Sequence, residues 1–271
     1  MEAVVRAIVL GIVQGLTEFI PVSSSGHLVI VPKLLGWHDP GLAFDVAVHL
    51  GTLLAVLAYF WRDWLAVIAG FFTSLKTKPR AWSHDQRLAW LIIMATVPAA
   101  LAGLLLSDFF DTHLRSPGSA ATFLLAGSLI MFIAEVLSRR KRDFGSLRAR
   151  DAGAMGLAQV IALAPGMSRS GITMSTGMFS GLKRDAAAKF SFMMAAPVIG
   201  GAGLVEAAKV AKHGTGGVGG GAMAAGFTAA AVVGFLAVKF LLAYLRRGTL
   251  MPFVIYGLCV ATALLLLIAL N

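Results

Sequence analysis

Six stretches of this chain, about residues 43–61, 88–106, 118–138, 187–208, 220–243 and 250–270, stay apolar for close to the length a helix needs to cross a bilayer. The hydrocarbon core is ~30 Å thick and takes about 20 residues of helix. Lipid offers the backbone no hydrogen bonds, so such runs must satisfy their own N–H and C=O groups as helices. Composition agrees: 58% of the 271 residues are hydrophobic and only 13% are charged, about half the charge of a soluble domain. The class expected is an all-α polytopic membrane protein.

Two further apolar regions, 2–36 and 152–182, are broken in the middle by Pro, Gly and Ser. Irregular backbone at membrane depth has to be buried in protein or line a wet cavity. Each region is therefore expected to be a re-entrant helix–loop–helix. The first lacks a basic n-region and a small-residue cleavage site, so it is not read as a signal peptide.

The net charge of +10 does not point to nucleic acid, because the basic residues cluster in short loops between apolar spans. Arg62, Lys76, Lys78, Arg80 and Arg87 lie between the first two spans; Arg139, Arg140, Lys141, Arg142, Arg148 and Arg150 follow the third; Arg246 and Arg247 precede the last. The loop 107–117 carries Arg115 against Asp108 and Asp111. This is the positive-inside pattern, with contact to anionic headgroups. It places three basic loops in the cytoplasm and both termini outside, against the grain of Lys209 and Lys212. The lone Cys259 is expected to be a small packing residue, and "HGTGGVGGG" (213–221) a flexible connector, since it lacks the Lys-Ser/Thr ending of a phosphate-binding loop.

The two broken regions match one another. "GIVQGLTEFIPVSSSG" from Gly11 aligns with "GLAQVIALAPGMSRSG" from Gly156, so Gln14 meets Gln159, Ser23 meets Ser168, Ser25 meets Ser170 and Gly26 meets Gly171. Pro21 and Pro165 differ by one position. Three spans lie between, and an odd number reverses direction, so an inverted-topology repeat is expected: repeat one about 2–106, repeat two about 118–243, then a final span 250–270. Such repeats place binding sites near the midplane. The chemistry is unequal, since Glu18 faces Leu163, Ser24 faces Arg169 and His27 faces Ile172. One copy brings acid, hydroxyl and imidazole, the other a cation, as for one composite site.

Gln14 and Glu18 stand i, i+4 and share a helix face, where an amide oxygen and a carboxylate suit a hard divalent cation. Ser23, Ser24, Ser25 and Gly26 form the mouth of a second half-helix, whose N–H groups and hydroxyls attract phosphate oxygens. His27 has the chemistry of a nucleophile, general base or general acid. Arg169, among Ser168, Ser170 and Gly171, offers a planar fork for phosphate. Asp45 and His49, another i, i+4 pair, are read as helix-packing or mouth residues, and Glu135 and Glu206 as ordinary interfacial charges. Together the site groups suit a phosphate or diphosphate held at membrane depth, reached by a lipid from the bilayer side.

These residues resemble a known family, the integral-membrane undecaprenyl-diphosphate phosphatases associated with bacitracin resistance. The resemblance covers nearly the whole chain, and its specific part is "QGLTEFIPVSSSGH" together with "PGMSRSG". It puts the family's first motif on Gln14 and Glu18, its serine and histidine on Ser24 and His27, and its arginine on Arg169. Gln14 departs from members with a second carboxylate there. The resemblance implies hydrolysis of undecaprenyl diphosphate to undecaprenyl phosphate and inorganic phosphate, recycling the lipid carrier of cell-wall synthesis. It also implies dependence on Mg2+ or Ca2+, a site facing the periplasm in the bacterial inner membrane, and inverted-repeat homodimers. Ser24, His27 and an activated water are each chemically able to attack. The rival class is a secondary transporter or lipid flippase, whose architecture also uses inverted repeats and broken helices; an ion channel fits the asymmetric site less well.

Overall fold

The computed structural model describes residues 1–38, 40–114, 116–213 and 218–270, with backbone alone at 107, 108, 110–112 and 213. Among the described residues the regular structure is helical: α1 Glu2–Phe19, α2 Ser24–Leu34, α3 Leu42–Tyr59, α4 Trp61–Ser74, α5 His84–His113, α6 Pro117–Leu137, α7 Ala149–Ile161, α8 Arg169–Phe179, α9 Arg184–His213, α10 Gly220–Leu245 and α11 Met251–Leu270. The six expected spans are α3, α5, α6, α9, α10 and α11, each long and apolar enough to cross a membrane. The two broken regions are the helix pairs α1–α2 and α7–α8, interrupted at 20–23 and 162–168.

Three boundaries differ from expectation. α5 continues to His113, so most of the stretch read as the loop 107–117 is helix; Arg115 lies outside the described residues. Of the expected connector 213–221, residues 214–217 also lie outside them, while Gly220 and Gly221 open α10. The third difference is α4, which occupies what reads as the basic loop between the first two spans. At 14 residues it is too short to span, and Arg62 and Asp63 interrupt its apolar pattern. It packs against α5 through Gly70, where a Cβ would stand 2.8 Å from the backbone of Asp85. Lys189 on α9 reaches Asp63 at 2.7 Å, and Trp90 donates its indole N–H to Ser74 at 2.9 Å.

The packing comes in matched pairs. α1 lies along α10 as α7 lies along α5; α10 meets α3 as α5 meets α9; α3 and α9 meet each other, as do α6 and α11. The aligned glycines make two of these approaches close. A Cβ on Gly156 would sit 2.7 Å from the carbonyl oxygen of Ala95 on α5, and one on Gly11 would collide with the carbonyl of Gly226 on α10. Small residues allow backbones to touch where lipid supplies no hydrophobic drive between helices. The centre is filled by Phe19, Phe190, Phe192 and the methionines Met131, Met155, Met174, Met178, Met193 and Met194, all buried. Phe19 and Phe192 meet edge to face at 5.3 Å.

Charges at one end of the bundle tie the elements together. Glu135, expected as an ordinary interfacial acid, is instead buried at 6% exposure. It accepts from Arg140 at 2.6 Å, from the Arg184 side chain and from the Leu250 N–H at 3.2 Å. A carboxylate is stable there because each partner comes from a different element, α9 and the α10–α11 turn included. Arg142 holds a second knot. It donates to both carboxylate oxygens of Asp151, at 3.1 and 2.6 Å, and to the Ser180 carbonyl at 2.9 Å. Asp151 holds the Arg142 guanidinium in its charged form, above the ordinary arginine range. Glu206 keeps its expected character, pairing with Lys209 near the end of α9. Cys259 does not pack inward but is exposed on α11.

Candidate active site

Both breaks end in the same local device. Ser23 caps α2 by accepting the Gly26 N–H at 3.4 Å, and Ser168 caps α8 by accepting the Gly171 N–H at 3.2 Å. Each cap also touches the serine two residues on, Ser25 at 3.4 Å and Ser170 at 3.3 Å. The two aligned motifs thus repeat in geometry as well as in letters. Gly26 and Gly171 give their N–H groups to these caps, so the anion-attracting groups that remain belong to the rest of the first turns. Ser23 holds a positive φ of 72°, uncommon outside glycine.

Glu18 lies in the last turn of α1, where a negative charge opposes the helix dipole. Its compensation comes from the first residues of α2 and α8, at the positive ends of those helices. Ser24 donates its hydroxyl to Glu18 Oε2 at 2.7 Å, and Arg169 donates to Oε1 at 2.6 Å. Gln14, one turn back on α1, donates its amide to Oε2 at 2.9 Å. Glu18 is 7% exposed and Gln14 fully buried, so these contacts act with little water to screen them. The acid, hydroxyl, amide and guanidinium singled out in the sequence converge on one point.

His49 joins them, contrary to its reading as a packing or mouth residue: its Nε2 is 3.9 Å from Glu18 Oε2. The i, i+4 relation to Asp45 is real but runs through the backbone, with His49 Nδ1 against the Asp45 carbonyl at 2.7 Å. Since that carbonyl only accepts, Nδ1 carries hydrogen and Nε2 faces the acid.

His27 has a different neighbourhood. Its Nδ1 donates to the Ser23 carbonyl at 2.7 Å, and its Nε2 lies 2.7 Å from the Tyr256 hydroxyl, with the rings stacked at 5.7 Å. A carbonyl accepts only, so a neutral His27 holds its proton on Nδ1 and takes the Tyr256 O–H on Nε2. The one lone pair it would use as a base is engaged. Tyr256, from α11, carries no motif that would single it out in the sequence.

A cavity of about 490 Å³ opens beside the serine loop. Ser25 and Gly26 line its inner end, and Val29, Ile30, Leu34, Leu264, Leu267 and Ile268 give it apolar walls, with Lys33 among them. Its other wall is the start of α6 and the Pro165–Gly166 turn.

The model of the bacitracin resistance protein BacA family matches residues 7–263, and so takes in Gln14, Glu18, the serine loop, His27, His49, Arg169 and Tyr256. The chain belongs to the BacA family. Among its relatives, the undecaprenyl-diphosphatase of Rubrobacter xylanophilus is 46% identical, over 98% of this chain and the whole of that protein. That of Moorella thermoacetica is 45% identical over 95% of each chain, and that of Thermomicrobium roseum 43% over 97% of this chain and 98% of its own.

In this BacA chain, no group of three or more His, Cys, Asp or Glu side chains converges as a metal cage among the described residues. The donors present are the Glu18 carboxylate and Gln14 Oε1, which is buried without a hydrogen-bond partner. One carboxylate and one unsatisfied amide oxygen fit a hard cation that takes its other ligands from water and phosphate, as Mg2+ does.

Proposed function

We propose that this BacA chain is a multi-pass membrane phosphatase that hydrolyses undecaprenyl diphosphate to undecaprenyl phosphate and inorganic phosphate. The observation that carries the reading is the Arg169–Glu18–Ser24 chain: a guanidinium, an acid and a hydroxyl in hydrogen-bonded sequence, drawn from two separate hairpins. The relatives' names supply the substrate. A transporter needs no hydroxyl bonded to a buried carboxylate, and that reading is not favoured.

In the proposed mechanism the diphosphate enters with its prenyl chain along the apolar cavity and its headgroup at the serine loop. Arg169 turns from Glu18 to the terminal phosphate and, with the first turns of α2 and α8, holds the charge gathering on the transferred group. Such preorganised donors supply most of the acceleration in phosphoryl transfer. Ser24 Oγ attacks the terminal phosphorus while its proton passes to Glu18. The bond to the bridging oxygen breaks, and the lipid monophosphate leaves. Water then attacks the seryl phosphate, giving inorganic phosphate and restoring the hydroxyl. Ser24 is preferred to His27 as nucleophile because it touches Glu18, whereas the His27 lone pair faces Tyr256. Gln14 and Glu18 would hold Mg2+ or Ca2+, which supplies neutralisation of the diphosphate charge.

The same proposal has the site opening to the periplasm, with both termini outside. In support, the cavity is lined by Ser116 and Pro117 at the start of α6, the opposite end of that helix from Arg139–Arg142. It also treats the chain as an inverted repeat with α1–α2 and α7–α8 re-entrant. The expected boundaries set α6 at the head of repeat two and α11 outside it. The mutual packing of α6 and α11 supports making them the last element of each copy. A homodimer rests on the family resemblance alone.

The test is phosphate release by purified protein in detergent, with and without a chelator. Release that falls on chelation and returns with Mg2+ or Ca2+ supports the whole reading. Chelator-insensitive release removes the metal, and no release without a sealed compartment removes the enzyme.

A further inference from the structure

The far end of the bundle carries a cavity that the proposed reaction does not use. It measures about 420 Å³ and is lined by Leu137, Ser138, Arg139, Lys141, Arg142, Phe179, Ser180 and Gly181. It lies between the C-terminus of α6 and the α8–α9 turn, which are joined by the Arg142 N–H to the Gly181 carbonyl at 2.9 Å.

Its cations differ from their neighbours. Most cations of this region have acids: Arg140 and Arg184 have Glu135, Arg142 and Arg150 have Asp151, and Lys183 has Asp143. Arg139, Lys141 and Arg148 have none among the described residues, and two of these three line the same cavity. Two residues of its wall also carry an unpaired polar atom beneath the surface. Ser138 Oγ and Arg142 Nε are both buried atoms without a hydrogen bond. Arg139 and Lys141 are exposed, so the hollow carries two cations without protein acids, the charge pattern that suits oxyanion oxygens. The cavity also has an apolar lip, Leu137 at 69% and Phe179 at 49% exposure, at the end of a membrane span. Free phosphate has no use for that lip; an acyl chain does.

We propose that this cavity binds the phosphate of an anionic phospholipid headgroup, with Arg139 and Lys141 as donors and Leu137 and Phe179 against the acyl chain. Basic pockets at the ends of spans recognise headgroups in this way. The site is separate from the Glu18–Arg169 centre and stands whether or not the proposed hydrolysis does.

The experiment is native mass spectrometry of the detergent-purified protein titrated with phosphatidylglycerol, and separately with inorganic phosphate. It uses wild type, the double variant Arg139→Gln/Lys141→Gln, and Arg148→Gln as a charge control. The proposal expects wild type and Arg148→Gln to retain phosphatidylglycerol alike, and the double variant to hold it about tenfold less tightly or worse, the scale of losing charge-assisted hydrogen bonds. The thermal midpoint in neutral detergent should be unchanged in all three, which reports that they fold. If the double variant misfolds, Arg139→Gln alone takes its place, since that side chain makes no ion pair among the described residues. Equal retention by every variant overturns the site, and binding of inorganic phosphate without retention of the lipid overturns its assignment to a headgroup.

Discussion

Arg169 and Glu18 stand 151 residues apart in the chain and 2.6 Å apart in space. The pair leaves the resting site with its charges internally cancelled. An incoming diphosphate has to take the guanidinium away from the carboxylate, so the two residues act as one unit.

Glu18→Ala and Arg169→Ala should each lower the rate of phosphate release by about a hundred- to thousand-fold, the usual cost of a lost preorganised contact. Because the groups are coupled, the double variant should be little slower than either single one. A double-mutant cycle on kcat/KM checks this; fully additive losses would separate the two roles.

Ser24→Ala should abolish turnover, and rapid quenching of wild type with labelled substrate should leave label on the peptide that contains Ser24. Label in an acid-labile bond to His27 would reverse the assignment. Tyr256→Phe removes the hydroxyl that faces His27 Nε2 and should leave any seryl phosphate in place.

Gln14→Glu places a second carboxylate beside Glu18 and should raise the apparent affinity for Mg2+, while Gln14→Ala should lower it. Activity titrated against free Mg2+ gives both directions. Identical titration curves would remove Gln14 from the ligand set.

Gly156→Ala should lower the thermal midpoint in detergent, by an amount equivalent to about 1–3 kcal/mol of overpacking. Gly153 on the same helix has open space where its Cβ would point. Gly153→Ala should therefore leave the midpoint level or raise it, and it serves as the matched control.

Asp151→Ala strips Arg142 of its acid at a position where the Asp151 side chain is only 1% exposed. Losing one partner of such a buried pair costs about 3–5 kcal/mol. Glu206→Ala, which removes an exposed pair, should cost at most about 1 kcal/mol. Thermal unfolding of the two variants side by side makes the comparison.

What could be read in advance follows from which interactions are local. The spans are legible because lipid demands an unbroken apolar run, and the breaks because Pro and Ser offend that demand. Glu18 and Arg169 are legible as partners because each departs from its aligned counterpart, Leu163 and Ser24. Burial of Glu135 is not, since only Arg140 is near it in the chain and its other two partners lie 49 and 115 residues away. Nor is the turn of His49 toward Glu18, because spacing along α3 says nothing of what α3 crosses. Helix α4 escapes for another reason: its apolar run is too short to read as a span, and Arg62 and Asp63 at its start read as part of a basic loop.

Tyr256 gives α11 a share in the centre. By the fraction of its apolar window that is buried, 17%, α11 is the least enclosed of the six spanning helices. Yet one hydrogen bond from it reaches the imidazole of His27. The acyl chains that surround α11 thereby become neighbours, at one remove, of the phosphate-handling residues, and the solvent in which the protein is extracted is part of its active centre's environment.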